Sequence, residues 1–226
     1  MGLTSSVMHY SINGNAPDAV VVADGDYPTH PIPLRVLQQA PFLCCCDAAL
    51  ENLLAHSITP DAICGDGDSL PLRRKKQFAH LLHRESEQAD NDLTKATRYC
   101  IGQGYRRIAY LGATGGREDH TLGNISLMAQ YATEFGIQPV MYTDHGYIVP
   151  VIGRATLPTF PRQQVSIFNF GCSNIDSDGL LWPTRSFDMW WQGTLNEALT
   201  DHITLCATGG SCLVFLTYAP KTDGRH

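Results

Sequence analysis

Residues 108–135 read IAYLGATGGREDHTLGNISLMAQYATEF: a short apolar run, a glycine-rich turn, then a helix-period segment. In the last of these, Leu122, Ile125, Met128, Ala132 and Phe135 recur at three- and four-residue intervals, which puts them on one face of a helix over 120–135. The run 108–111 (IAYL) has the length and apolar character of a buried strand. The same alternation extends outward on both sides. Runs 19–23 (AVVVA), 42–46 (FLCCC), 62–65 (AICG) and 139–142 (PVMY) read as further strands, and 33–39, 48–56, 72–84 and 92–103 as helices between them. Gly102 and Gly104 supply the usual C-terminal stop for the last of these helices. Alternation of this kind predicts a doubly wound, mostly parallel, Rossmann-like sheet with helices on both faces.

After about Asp144 the helical periodicity stops. Short β-type runs follow at 147–152, 165–170, 203–207 and 212–218, separated by the turn-like stretches PRQQ, GCSNIDSDG and ATGGS. They predict a small C-terminal antiparallel β domain, a sandwich or barrel, of which the β-sandwich is the expectation carried forward. The boundary falls in 143–146, giving an α/β domain over 1–145 and a β domain over 146–226.

The chain of 226 residues is 43% hydrophobic and 17% charged, a globular composition that excludes collagen, coiled coil and disorder. The longest apolar runs, such as 19–23 and 212–216, are too short to cross a bilayer, so no membrane role is expected. A net charge of −6 leaves no basic field for nucleic acid. The N-terminus lacks a cationic segment followed by an apolar one, so no signal peptide is expected, although MGLTSS fits a short myristoylation pattern. Of the 8 Cys, three are consecutive (Cys44, Cys45, Cys46) and none form C-x-x-C, which suits small apolar residues in a reducing compartment. His80-Leu81-Leu82-His83 has no second ligand pair for zinc. A cytoplasmic enzyme is the expectation.

In doubly wound sheets ligands bind outside the carboxyl ends of the strands. Here Asp24, Asp47 and Asp66 follow strands, Asp119 lies in the loop after IAYL, and Asp92 opens a helix. Carboxylates converging on one sheet edge repel one another unless a cation compensates, and Mg²⁺ is the simplest such ion. Within Gly65-Asp66-Gly67-Asp68-Ser69 the glycine allows a tight turn with Asp66 and Asp68 pointing into one site. The plain alternative is a solvated Asp-Gly turn. Gly112–His120, with Gly115, Gly116 and Arg117, offers backbone N–H groups and a guanidinium fork to an anion such as phosphate. The plain alternative there is a turn with Asp119 as helix cap. Residues 87–96 (EQADNDLTKA) say little alone: Asp92 fits a helix cap and Lys95 a wet helix face. Arg73-Arg74-Lys75-Lys76 reads mainly as a solvated face. Trp190 and Trp191, if in a strand, face opposite ways.

Taken in order, these pieces resemble the thiamine pyrophosphokinase family. Its Asp-Gly-Gly-Ala-Asn turn stands here as Asp47-Ala48-Ala49-Leu50-Glu51, its Gly-Asp-x-Asp-Ser turn as Gly65–Ser69, its Gln-Asp-x-Thr-Asp-Φ-x-Lys-Ala segment as Gln88–Ala96 and its Gly-Gly-Arg-x-Asp-His segment as Gly115–His120. The Gly-Leu-x-Trp of its β domain stands as Gly179-Leu180-Leu181-Trp182, and its Ser-Asn-Glu as Leu195-Asn196-Glu197. The departures are Ala48, Ala49, Ala89, Asn91 and Leu195, and they bear on substrate more than on reaction type.

The resemblance implies transfer of the β,γ-diphosphate of ATP to the hydroxyl of thiamine, giving thiamine diphosphate and AMP. Asp66, Asp68 and Asp92 are then expected to hold Mg²⁺, with Asp92 also a candidate base and Asp47 and Gln88 orienting the assembly. Gly115, Gly116, Arg117, Asp119 and His120 are expected to bind ATP, and Trp182 and Asn196 thiamine. The family's shared sites imply a homodimer. The alternatives are a diphosphokinase acting on a pterin alcohol and a nucleotide-binding regulatory protein without turnover.

Overall fold

The computed structural model describes residues 8–9, 16–84 and 90–222. Gln88 and the MGLTSS stretch lie outside the described residues. The chain divides into two compact units, one built from residues 17–127 and 136–144, the other from 128–135 and 145–226 together with the N-terminal residues.

In the first unit six strands pair in parallel: β1 (Ala19–Val22), β2 (Leu43–Cys46), β3 (Ala62–Gly65), β4 (Leu82–Arg84), β5 (Arg107–Leu111) and β6 (Gln138–Tyr142). Their spatial order is β4-β3-β2-β1-β5-β6. In-register neighbours include Val21 with Cys44 on one side and with Tyr110 on the other. Every residue of β1, β2 and β3 is buried, as a sheet covered on both faces requires. The cysteines here act as small apolar core residues, with the Cys44 and Cys64 sulfurs 3.5 Å apart and no Cys of the chain in a disulfide. Five helices join the strands: α1 (Pro31–Gln38), α2 (Leu50–Ala55), α3 (Leu72–Gln77), α4 (Asp92–Gly102) and α5 (Glu118–Thr133). The chain steps outward from β1 to β4, then returns to lay β5 on the other side of β1. That reversal makes a crevice beyond the carboxyl ends of β1 and β5.

The helix expected over 72–84 is corrected. It stops at Gln77, and Leu82–Arg84 form the edge strand β4, paired with Ile63–Gly65. Three cations, Arg74, Lys75 and Lys76, crowd the last turn of α3, whereas Phe78 is buried and the Phe78 carbonyl accepts the Leu81 N–H at 2.9 Å to turn the chain.

In the second unit β7 (Gly146–Pro158) and β11 (His202–Pro220) run antiparallel along most of their length, with a register shift between Ala207 and Ser211. Before that shift β11 also pairs with β9 (Asn174–Asp178), and after it with β8 (Gln163–Phe170), which carries the short β10 (Asn196–Glu197). A two-residue strand, Met8–His9, adds in parallel to β7 at Ala155 and Thr156. Two long antiparallel strands thus organise this unit, whose buried residues include Val151, Leu157, Ile167, Ile175, Leu205 and Leu213. Two turn readings are corrected. Asn174–Asp178, inside GCSNIDSDG, is a strand, because its backbone pairs with β11 although its side chains favour turns. ATGGS at 207–211 is a bulge within one strand rather than the end of it. Trp190 and Trp191 sit in a 3₁₀ turn (Trp190–Gly193), not a strand, and both are exposed. Among the described residues no helix is long and apolar enough to cross a membrane.

Candidate active site

β2 ends at Cys46, and Asp47 opens the 3₁₀ turn (Asp47–Ala49) that leads into α2. Its side chain is fully buried. Oδ2 accepts the Gly67 N–H at 2.9 Å, while Oδ1 is buried without a partner. The approach of the two turns depends on Gly65: a Cβ there would stand 2.7 Å from Asp47 Cγ. Burial pushes the Asp47 carboxyl upward, and the fields of Asp92 and Asp66 add to that against the lowering effect of the Gly67 and Ala48 N–H groups. On the neighbouring turn Asp66 and Asp68 are exposed, and Asp66 Oδ1 accepts the Asp68 N–H at 2.8 Å.

The cap of α4 is Asn91, whose Oδ1 accepts the Thr94 N–H at 2.9 Å. This corrects the cap reading of Asp92, which stands one residue inside the helix with its carboxylate free to point elsewhere. Asp92 Oδ1 accepts from Lys95 Nζ at 3.0 Å. Lys95 is only 6% exposed, so it is not on a wet face. Burial works against the Lys95 ammonium, but the bond to Asp92 and the fields of Asp66 and Asp47 outweigh it and hold its pKa above the usual lysine value.

The loop after β5 meets the loop after β1. Gly25 N–H donates to Gly112 O at 2.6 Å and Asp26 N–H to Thr114 O at 2.8 Å. Gly115 has φ +85°, and a Cβ there would overlap the Asp26 carboxylate, 2.1 Å from its Cγ. Glycine is required on both counts. Arg117 donates from Nε and a terminal nitrogen to the two oxygens of Asp119, at 3.1 and 2.6 Å, and Asp119 Oδ1 also accepts the His120 N–H. The guanidinium holds the Asp119 carboxyl below the usual carboxylate range. Helix α5 begins at Glu118, so Asp119 lies in its first turn rather than at its cap.

A cavity of about 460 Å³ opens at this crevice. Asp92, Gly115, Gly116, Arg117 and His120 line it. Asp47, Asp66, Asp68 and Asp119 do not, although their chain neighbours Cys46, Ala48 and Ser69 do. Asp24 also lines it; its Oδ1 accepts from Asn52 Nδ2 at 3.1 Å, and burial raises its pKa. Three residues of this site escape sequence reasoning. Asn124 lines the cavity, receives a hydrogen bond from Asn91 at 3.2 Å and donates to Ala113 O at 2.9 Å, tying α4, α5 and the glycine loop together. Lys95 and Asp26 are the others. The signals were the Asp-Gly-Asp spacing of residues 24–26 and the place of Lys95 at the Lys of the Gln88–Ala96 segment.

The hard oxygens of Asp66, Asp68 and Asp92 fit Mg²⁺, and the unpartnered Asp47 Oδ1 marks negative charge that a cation would relieve. Among the described residues no three His, Cys, Asp or Glu side chains are already grouped to hold an ion.

In the second unit Trp182 is half exposed, and Asn196 is buried. Asn196 Oδ1 accepts the N–H groups of Trp182 (3.1 Å) and Glu197 (2.8 Å), and its Nδ2 donates to Trp182 O at 2.8 Å. With these bonds made, Asn196 braces the Trp182 backbone. Leu195 takes φ +62° and donates its N–H to Ser166 Oγ at 3.1 Å.

The thiamin pyrophosphokinase 1 of Caenorhabditis elegans is 29% identical over 94 residues, an alignment that spans 38% of this chain and 38% of that protein. The crystal structure of thiamine pyrophosphokinase from Bacillus subtilis superposes with a TM-score of 0.71 at 20% identity, covering 89% of this chain and 99% of that one. Thiamin pyrophosphokinase from Candida albicans superposes with a TM-score of 0.74 at 15% identity, covering 96% and 95%. At such identities the structures speak for the fold alone. The thiamin pyrophosphokinase catalytic-domain model matches residues 34–139 and the substrate-binding-domain model residues 146–215. With both domains present in order, the chain belongs to the thiamin pyrophosphokinase family.

Proposed function

We propose that this protein is a thiamine diphosphokinase, transferring the β,γ-diphosphate of ATP to the hydroxyl of thiamine and releasing AMP. The observation that carries the reading is the buried Asp47, its Oδ1 unpartnered and in the field of Asp66 and Asp92, at a switch-point crevice bordered by a glycine-rich turn. Phosphoryl transfer asks a protein mainly to position the groups and neutralise charge. Asp66, Asp68 and Asp92 would hold Mg²⁺, which when bound neutralises charge on the phosphates. Asp47 and Gln88 orient that assembly. The Gly115-Gly116 turn offers backbone N–H groups to the phosphates, and Arg117, already aligned by Asp119, adds its guanidinium fork. His120 contacts the nucleotide at the start of α5. Trp182, held by Asn196, offers its indole face to the thiamine ring.

The working protein is a cytoplasmic homodimer in which one chain's catalytic domain (1–145) acts with its partner's β domain (146–226). The eight unbonded cysteines support the reducing compartment. AMP release with ATP and Mg²⁺ tests the reading: it is expected only when thiamine is present. Release only with a pterin alcohol would replace thiamine as substrate, and no release with either would leave a nucleotide-binding protein without turnover.

A further inference from the structure

We propose that Lys95 is the resident counter-ion of the carboxylate cluster, and that it makes binding of a divalent cation there depend on the nucleotide. The inference rests on the metal–ATP reading above and goes beyond it. Lysine is almost never buried unless paired, and Lys95 is 6% exposed. Helical side chains lean back toward the N-terminus, so the stem at Lys95 carries Nζ to Asp92 three residues earlier, at 3.0 Å. Such a pair on a surface would matter little. Here the ammonium also lies in the field of Asp66 and Asp47, so one cation answers three carboxylates.

Two consequences follow. Without Lys95, Asp47 would sit fully buried, with an unpartnered oxygen, beside two like charges. Conversely, a metal ion drawn to Asp92 meets a carboxylate whose Oδ1 already accepts from the Lys95 ammonium, and the two cations repel each other there. An ion arriving alone must compete with the Lys95 ammonium for that carboxylate. An ion arriving with ATP brings phosphate oxygens, to which Nζ can transfer its hydrogen bond. The two ligands are therefore coupled, and by linkage each strengthens the other.

The probe is Mn²⁺, counted by the electron paramagnetic resonance signal of the free ion. It is titrated into the wild type, Lys95→Gln and Lys95→Arg, with and without α,β-methylene-ATP, after subtracting Mn²⁺ held by the analogue alone. The wild type should bind Mn²⁺ at least tenfold more tightly with the analogue. Lys95→Gln should bind it at least tenfold more tightly than the wild type without nucleotide, with a reduced effect of the analogue, and Lys95→Arg should follow the wild type. A Lys95→Gln protein with nucleotide-free affinity equal to or below that of the wild type overturns the proposal. So does a wild type that binds Mn²⁺ equally well with and without the analogue, a result that needs no variant. If circular dichroism shows Lys95→Gln unfolded, Lys95→Met, which keeps the apolar stem, replaces it under the same criteria. If no form takes up Mn²⁺ even with the analogue, the metal–nucleotide reading itself falls, and this proposal with it.

Discussion

At the scale of single residues the site trades stability for charge. Asp47 has a raised carboxyl pKa, so the folded state holds its proton more tightly than the unfolded chain does. Its favourable share of stability is therefore complete below the ordinary carboxylate pKa and is lost as pH rises through the raised value. At neutral pH the ionised group opposes folding. Asp47→Asn keeps an oxygen for the Gly67 N–H and turns an amide toward Asp66 and Asp92. It should stabilise the metal-free protein at pH 7 by about 1 kcal/mol, with little gain at pH 4, while turnover falls at least about a hundredfold. Thermal unfolding at both pH values checks the sign, and a lower melting temperature at pH 7 would contradict it. Asp66 and Asp68 differ in being exposed. Asp66→Asn and Asp68→Asn should each shift stability by no more than about 0.5 kcal/mol yet lower turnover by at least about two orders of magnitude. Near-normal rates at saturating Mg²⁺ would remove them from the metal shell. The turns at Gly65–Ser69 and Gly112–Arg117 are legible as turns because turn chemistry is local. The burial of Lys95 is not: a lysine in a polar helix reads as solvated, and its pairing with Asp92 does not show in the sequence.

At the scale of elements, short segments decide where side chains go. Strand β4 has only three residues, too few for a two-residue period to stand out against the helical pattern before it. The strand Asn174–Asp178 was hidden for the opposite reason, since pairing with β11 overrides five residues that mostly favour turns. The parallel strands β1, β2 and β3 were legible because burial on both faces leaves unbroken apolar runs. The brace between β10 and the Trp182 segment was not, because an Asn-to-backbone bond across 14 residues has no sequence period. It separates two roles that the motifs leave together. Trp182→Ala, at a half-exposed site, should raise the KM for thiamine at least about tenfold with stability changed by no more than about 0.5 kcal/mol. Asn196→Ala should raise the same KM and also cost about 1 kcal/mol, because it removes both bonds to the part-buried Trp182 backbone. Equal stability for the two variants in urea titrations would place Asn196 among ligand contacts instead.

At the scale of the whole molecule, the phosphate machinery lies between Asp47 and His120, whereas Trp182 and Asn196 belong to the later unit. If the two halves of a site come from different chains, a dimer with a twofold axis contains two such sites, each with one chain's Asp68 and the other chain's Trp182. Asp68→Asn and Trp182→Ala proteins carry separate defects that complementation can sort. In a mixed dimer one site then holds both defects and the other holds neither. Mixing the two impaired proteins and allowing subunit exchange should restore activity to about a quarter of the wild-type level, since half the dimers are mixed and each has one intact site. That fraction assumes equal amounts and free exchange, and it is read as thiamine-dependent AMP release against each variant alone. Were each site contained in one chain, every site in the mixture would keep one defect and no gain over the separate proteins would appear. Sedimentation at the assay concentration supplies the second check: a fully active monomer would exclude the shared site whatever the mixing experiment gave.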